Sequence, residues 1–418
     1  MNLRSLPQPS VLLVHPTGNA NVRQAAQALS DIGWLAGYHT TIAWSPDSFL
    51  NRFLPGSLKS ELARRSYPSL PVNLVHAHPW HESVRLLAAR KNWRTLIRHE
   101  TGIFSMDAIC ASLDKAAARA VAQGMAPNAI YAYDDCALQS FRAARQRGIA
   151  SIYELPIGYL RQWRSMRDEE ILREPEWGQT LVAGIDSEEK LARKDNEIAL
   201  ADQVIVPSRF VANSLANSPA RKIAIVPYGC PAPSPPTSRP LRSSGPLRVL
   251  YVGSIGQRKG ISYLLRAMEQ LRGQAELSLV GRCAHSSDRL AAQLNHHHWT
   301  HSLPHAKVLE TMRNHDVLVL PTLFEGRALV VLEALSQGLP VVTTLNSGTE
   351  DVVLDGVTGF IVPIRSSDAI AEALSRLAED RNLLTEMSQA ASRIAAQWSW
   401  SNYRQQLLEV ITDCLQST

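Results

Sequence analysis

Short apolar runs alternate with amphipathic stretches from the start of the chain. Residues 10–16 (SVLLVHP) have the pattern of a buried strand, followed by the loop TGNA and the helix-patterned NVRQAAQALSDIG. Further strands are expected at 72–78 (VNLVHAH), 129–135 (AIYAYDD), 150–156 (ASIYELP), 201–208 (ADQVIVPS) and 222–229 (KIAIVPYG). The stretch 161–200 is charged, long and helical in pattern, and is expected to cross the surface. The alternation restarts later, with strands expected at 247–253, 275–281, 316–322, 339–344 and 358–363. Within 366–378, Ile370, Ala373, Leu374 and Leu377 fall at i, i+3, i+4 and i+7 behind a Ser/Asp capping cluster, the signature of an amphipathic helix. Strands alternating with helices imply parallel pairing, so the fold class is α/β with doubly wound sheets.

The two series are separated by residues 229–246 (GCPAPSPPTSRPLRSSGP), with six prolines and no apolar periodicity. Proline blocks ladder pairing and stiffens the backbone, so this stretch is a linker. A chain of 418 residues is too long for one ordinary core. The expected organisation is an N-terminal domain over 1–230, a linker over 231–246 and a C-terminal domain over 247–398. The last helix, 399–416, is expected to pack back on the first domain.

Composition narrows the class. Hydrophobic residues make up 45% and charged residues 19%, as in globular proteins. The five cysteines (Cys110, Cys136, Cys230, Cys283, Cys414) form no C-x-x-C pair, which argues against a zinc site or disulfide scaffold and suits a reducing compartment. No stretch approaches the roughly 20 apolar residues that span a bilayer, so a cytoplasmic protein is expected. Charge is uneven: residues 51–100 hold nine Lys/Arg against three acids, a local excess of +6 in a chain of net charge +5. Such an excess fits an anionic partner, and it also fits solvated helix faces. Docking on the inner face of an anionic membrane is one expectation. Nucleic acid is not, because no nucleic-acid motif accompanies the charge.

The most informative stretch is DVLVLPTLFEGRALVVLEALSQGLPVV (316–342). A buried strand ends at Leu320, a turn carries Glu325 and Gly326, and a helix is expected from about Ala328 to Ser336. In open α/β sheets ligands bind beyond the carboxyl ends of strands, where helix N-termini turn free N–H groups outward. Eight residues of helical rise would put Glu325 and Glu333 roughly 12 Å apart, about the span from a donor's sugar to its ribose across a diphosphate. The same spacing also fits a surface helix with two solvated glutamates. The loop GSIGQRKG (253–260) is neither a dinucleotide fingerprint nor a Walker motif, which disfavours NAD binding and ATP hydrolysis.

This stretch, with its E-x7-E pair, resembles the donor-site motif of family-4 retaining glycosyltransferases of the GT-B fold, in which two Rossmann-like domains face a central cleft. LRVLYVGSIGQRKGISYLLRAM (247–268), LSLVG (277–281), NSGTEDVVLDGVTGFIVP (346–363), ADQVIVPSRFVANSL with IVPYG (201–229), and WSWSNY (398–403) resemble further family blocks in the right order. The resemblance implies that Glu325 contacts the donor sugar and Glu333 the ribose. It implies that Lys259, with Arg258, neutralises the diphosphate as the catalytic cations. Gly253, Ser254, Gly281, Gly326, Arg327, Ala328 and Leu329 would complete the donor site, Gly326 to Leu329 through backbone N–H groups. The family often has arginine where this chain has Ser254, and Arg258 would compensate.

The first half resembles the family more weakly. Gly18 and Asn19, in the loop HPTGNANVR, would face the acceptor, although an ordinary strand–helix turn explains them as well. Many relatives carry a cleft histidine at a strand end. Here Glu154 and Leu155 stand near that place, with His76, His78 and His99 as substitutes, each also readable as a core or surface histidine. The run His296 to His298 reads as surface, with no metal site expected. The resemblance thus implies a hexosyltransferase using a UDP- or GDP-sugar and no cofactor, acting on a glycan, lipid or small-molecule acceptor. A non-catalytic nucleotide-sugar binder and a GT-B epimerase or phosphorylase stand as alternatives.

Overall fold

The computed structural model describes residues 8–45, 62, 65–181, 185–234, 244–283 and 288–417. Linker positions 235–243 and the basic residues Arg52, Lys59 and Arg64 lie outside the described residues.

The alternation folds into two sheets whose pairings are all parallel. The first contains β1 (Val11–Val14), β2 (Leu35–Thr40), β3 (Val75–Ala77), β4 (Ala129–Tyr133), β5 (Ala150–Glu154), β6 (Gln203–Val206) and β7 (Ile223–Ile225), in the order β3-β2-β1-β4-β5-β6-β7. The second contains β8 (Leu247–Val252), β9 (Ala275–Val280), β10 (His298–Thr300), β11 (Val317–Leu320), β12 (Val341–Thr343) and β13 (Gly359–Ile361), in the order β10-β9-β8-β11-β12-β13. Central strands such as VLLV and VLVL are buried at every position, as expected of parallel strands covered by helices on both faces. This is the GT-B arrangement of two Rossmann-like domains.

Two strands escape the sequence pattern. β2 (LAGYHT) mixes glycine and polar residues, and β10 (HWT) is three residues long. Pairing with β1 and β9 makes them strands where local propensity would not. Conversely, the expected strand over 72–78 is a 3-10 turn at Val72–Leu74 followed by only three paired residues. The C-terminal helix Trp400–Ser417 packs on the helix Ala20–Asp31 of the first domain, with Arg404 Nη1 donating to Gln24 Oε1 at 3.1 Å.

The stretch 161–200 does not simply cross the surface. Its helix Leu160–Arg173 and the 3-10 segment Pro175–Thr180 dock on the second domain. Fully buried Glu170 accepts from Gln257 Nε2, Tyr263 OH and Arg365 Nε, each at 2.7 Å. Thr180 Oγ1 accepts the amide of Gln257 at 2.9 Å. The charged pattern hid this role because the buried carboxylate is satisfied by partners distant in sequence. Removing one member of such a buried ionic set leaves the others unpaired and costs about 3–5 kcal/mol. Glu170→Ala is therefore expected to lower the denaturant midpoint clearly. A midpoint equal to that of the wild type would show that this contact carries no stability.

Candidate functional site

In the second sheet the strand order reverses between β8 and β11, which are paired neighbours. The loops that leave their carboxyl ends diverge to opposite sides and open a crevice there. The loop after β8 makes a 3-10 turn at Gln257–Lys259 and ends at Gly260 with φ 71°. A Cβ on Gly260 would stand 2.0 Å from the carbonyl oxygen of Pro321, so only glycine lets the two loops approach. They are stitched together: Leu323 N donates to Arg258 O at 2.9 Å, and Arg258 Nη1 donates to Phe324 O at 2.6 Å.

This stitching brings Arg258, Lys259 and Glu325 together. Glu325 Oε2 pairs with Lys259 Nζ and lies 3.2 Å from Arg258 Nη1. All three are largely shielded from water, with 12–25% of each side chain accessible. Burial, and after it the charge of Arg258, pushes the pKa of Lys259 well below its ordinary value. Burial likewise lowers that of Arg258. A nearby anion favours the charged form of Lys259, and Glu325 supplies one here.

The helix after β11 runs Leu329–Ser336, with Ala328 at its N-cap and no side-chain cap. Ala328 N donates to Ser347 O at 3.0 Å, so this amide is not free for a ligand, contrary to the expectation for all four residues. The amides of Gly326, Arg327 and Leu329 have no partner among the described residues. Because the helix starts only at Leu329, eight residues of helical rise do not measure the Glu325–Glu333 separation. Glu333 Oε1 lies 2.8 Å from Nε2 of the exposed His305, and burial raises its pKa against the lowering contact of that histidine. His305 had no sequence signal, since it lies 28 residues earlier, at the start of the helix His305–Arg313.

The same turn makes the domain contact. Phe324 is buried between Trp163 and Phe210 of the first domain, with ring centroids 5.2 and 5.3 Å away. A Cβ on Gly326 would stand 1.7 Å from Pro156 O, so the two backbones touch. Ser208 Oγ donates to Gly326 O at 2.6 Å. The Arg327 side chain is fully buried, donating to Tyr228 O at 3.1 Å and pairing with Asp351 at 2.7 Å. Its guanidinium therefore holds the domains together rather than facing the crevice.

The remaining predicted residues are mostly tied into the framework. The amides of Gly253 and Gly281 donate to Val280 O and Thr300 O, both at 2.9 Å, so these glycines serve close packing of the strand ends. Ser254 is exposed, and its carbonyl accepts from Tyr251 OH at 2.7 Å. In the first domain, Gly18 O accepts from Arg23 Nε at 2.8 Å and Asn19 Oδ1 from Thr17 Oγ1 at 3.3 Å.

Glu154 does not enter the crevice. It is buried and accepts from Asn21 Nδ2 at 3.0 Å, from Tyr228 OH at 2.7 Å and from Tyr131 OH, and burial raises its pKa. Leu155 is buried as well. His76 and His78 cluster with His39, whose Nδ1 lies 3.1 Å from His78 Nε2. Desolvation pushes His39 down to about 3 and His15, directly after β1, down to about 4. His15 and His39, which end or follow strands of the first sheet, were missed by the sequence reading. His99 sits 2.7 Å from Asp186 in a group with Glu100 that Lys190 already bridges, 3.2 Å from Asp186 and 2.7 Å from Asp107. His296 and His298 are exposed, and His298 opens β10.

Comparison with known proteins places this arrangement. Residues 238–394 match the model of the family described as glycosyl transferases group 1. An uncharacterized glycosyltransferase of Methanocaldococcus jannaschii is 28% identical over 170 residues, 39% of this chain and 44% of that protein. Glycogen synthase of Mycobacterium tuberculosis is 27% identical over 189 residues, 43% of this chain and 45% of the enzyme. The matched region thus spans less than half of each relative. Among solved structures, Anabaena HepE in complex with UDP-glucose superposes with a TM-score of 0.64 at 17% identity, covering 97% of this chain and 99% of that one. Residues 238–394 thus carry a likeness to glycosyl transferases group 1, and the chain as a whole shares the GT-B fold of the solved structures.

Proposed function

We propose that the protein is a retaining, metal-independent hexosyltransferase of the family-4 type, using a UDP- or GDP-sugar as donor. The observation that carries this reading is the half-buried set Arg258, Lys259 and Glu325 at the point of strand reversal, with Glu333 on the helix behind it. The relative solved with UDP-glucose supports the uridine nucleotide as the first choice of donor.

In this reading the donor diphosphate displaces Glu325 from the two cations. The freed carboxylate accepts hydrogen bonds from sugar hydroxyls, while Glu333 accepts from the ribose. The unpartnered amides at 326, 327 and 329 add donors for the phosphates. The bond between the anomeric carbon and the diphosphate oxygen breaks, and a bond to the acceptor oxygen forms on the same face of the sugar. The acceptor's proton passes to the departing phosphate oxygen. Arg258 and Lys259 stabilise the charge that develops on the leaving group, so no side-chain nucleophile, metal or cofactor is needed. The acceptor, a glycan, lipid or small molecule, would enter from the side of the first domain near Gly18 and Asn19. We place the protein in the cytoplasm against the inner face of the membrane.

Loss of one such charge-stabilising group lowers turnover about 10²–10³-fold. Lys259→Ala is expected to do so; because it also takes one partner from Glu325, some fall in unfolding temperature accompanies it, and a folded variant with full activity would remove the proposed role. Donor identity is read from a thermal-shift panel of UDP-, GDP-, ADP- and dTDP-sugars on the wild type and on Glu333→Ala. One donor should raise the unfolding temperature of the wild type and fail to do so in the variant. Stabilisation without turnover on any acceptor would favour the non-catalytic binder, and turnover of the donor without acceptor would favour the epimerase.

A further inference from the structure

Two exposed tryptophans beside the third strand bear on how the protein meets its surroundings. Trp80 is 69% accessible and Trp93 48%. Leu87, Ile103 and Met106 are also exposed, so five of the fourteen exposed large hydrophobics among the described residues lie between residues 80 and 106. Scattered apolar residues are normal on a surface, but a cluster that includes tryptophan marks an interaction site.

Local structure gathers these residues on one side. In the helix Pro79–Arg90, Trp80 and Leu87 are seven positions apart and share a face. The chain then turns through Asn92, with φ 57°, and folds back along the helix. Trp93 N donates to Ala88 O at 2.8 Å, which sets Trp93 next to Leu87. Phe104 packs its ring 5.8 Å from that of His81, which brings the segment carrying Ile103 up to the start of the helix that carries Trp80. Phe104 N donates to Leu96 O and Gly102 N to Arg98 O, closing the loop that presents Arg94 and Arg98.

The charge on this side is of one sign. Lys91, Arg94 and Arg98 are exposed, and so is Arg90 at the end of the helix. The two acids of the segment are turned away. Glu82 is buried against Arg65 and Arg85, and Glu100 accepts the amide of Ser187 at 2.8 Å. Tryptophan with aliphatic side chains, ringed by lysine and arginine and without acids, complements an anionic bilayer surface. Tryptophan and leucine would enter the interface while the cations meet headgroup charges.

We propose that the face formed by Trp80, Leu87, Trp93 and Ile103, with Lys91, Arg94 and Arg98, docks the protein on an anionic membrane. This names the surface behind the membrane reading above, rests on that reading, and is independent of the donor chemistry. The test is co-sedimentation of the full chain with vesicles of phosphatidylcholine alone or with about a third phosphatidylglycerol. The wild type should sediment with the anionic vesicles and be released by raised salt. Each basic residue near such a surface is worth about fivefold in partitioning, so Arg94→Ser with Arg98→Ser should weaken binding at least tenfold. Trp80→Ser with Trp93→Ser should weaken it on vesicles and leave the salt dependence in place. All variants should keep the wild-type unfolding temperature and donor-induced shift. The proposal is overturned if the wild type fails to bind anionic vesicles at low salt, binds neutral vesicles equally, or binds double-stranded DNA instead of vesicles. It is overturned equally if both variants bind as the wild type does. None of these outcomes touches the transferase reading, which is tested separately by the donor shift and by turnover.

Discussion

The candidate site depends on keeping two cations and one carboxylate away from water at the place where the second sheet reverses its strand order. Charges so placed are costly unless each has a partner, and here each partner comes from the neighbouring loop. Arg258 is fixed twice, through its carbonyl to Leu323 and through its guanidinium to Phe324 O and Glu325. The loops therefore cannot shift independently, and the positions of the charged groups follow from backbone hydrogen bonds rather than from side-chain preference. Low effective dielectric then makes these charges act strongly on whatever enters.

The second constraint is that the first domain helps to hold this loop. Gln257 directly precedes Arg258, and its amide and side chain are both held by residues of the stretch 160–181. On the other side, Gly326 rests on Pro156 and Arg327 reaches Tyr228. The linker is thus only one of several ties between the domains. The chain crosses again at Trp398, whose carbonyl accepts the amide of Cys230 at 2.5 Å, before its last helix joins the first domain. A domain movement that opened the crevice would have to break or carry along the contacts around Gln257 and Gly326. The two domains are mechanically connected at the residues proposed to do the chemistry.

Much of this could be read from residues alone, for identifiable reasons. Strands such as VLLV and VLVL are apolar throughout because both faces are covered, and that signal is local. The pair Glu325 and Glu333 and the basic pair 258–259 stood out because each lies within one short segment. What stayed hidden is what depends on partners distant in sequence. Nothing near Glu170 announces a carboxylate shared by Gln257, Tyr263 and Arg365. Nothing near Arg327 shows that its guanidinium is a clamp between domains rather than a ligand group. Glu154 stands at a strand end as expected, but its partners Asn21, Tyr131 and Tyr228 come from three other segments, and they turn it inward. The strand LAGYHT was passed over because its pairing, not its composition, makes it a strand.

The position of Glu325 has a consequence for what the resting site ignores. With its carboxylate already seated between Lys259 and Arg258, the slot carries its own counter-ion and is half neutralised. A small monoanion gains little there, because it must expel a tethered competitor whose effective concentration is high. Only a ligand that brings several negative charges, and also offers hydroxyls for the expelled carboxylate to grip, can turn that exchange in its favour. If the loop binds the donor as proposed, it would act as a threshold: simple anions would be screened out, and admission would require charge and sugar on the same molecule.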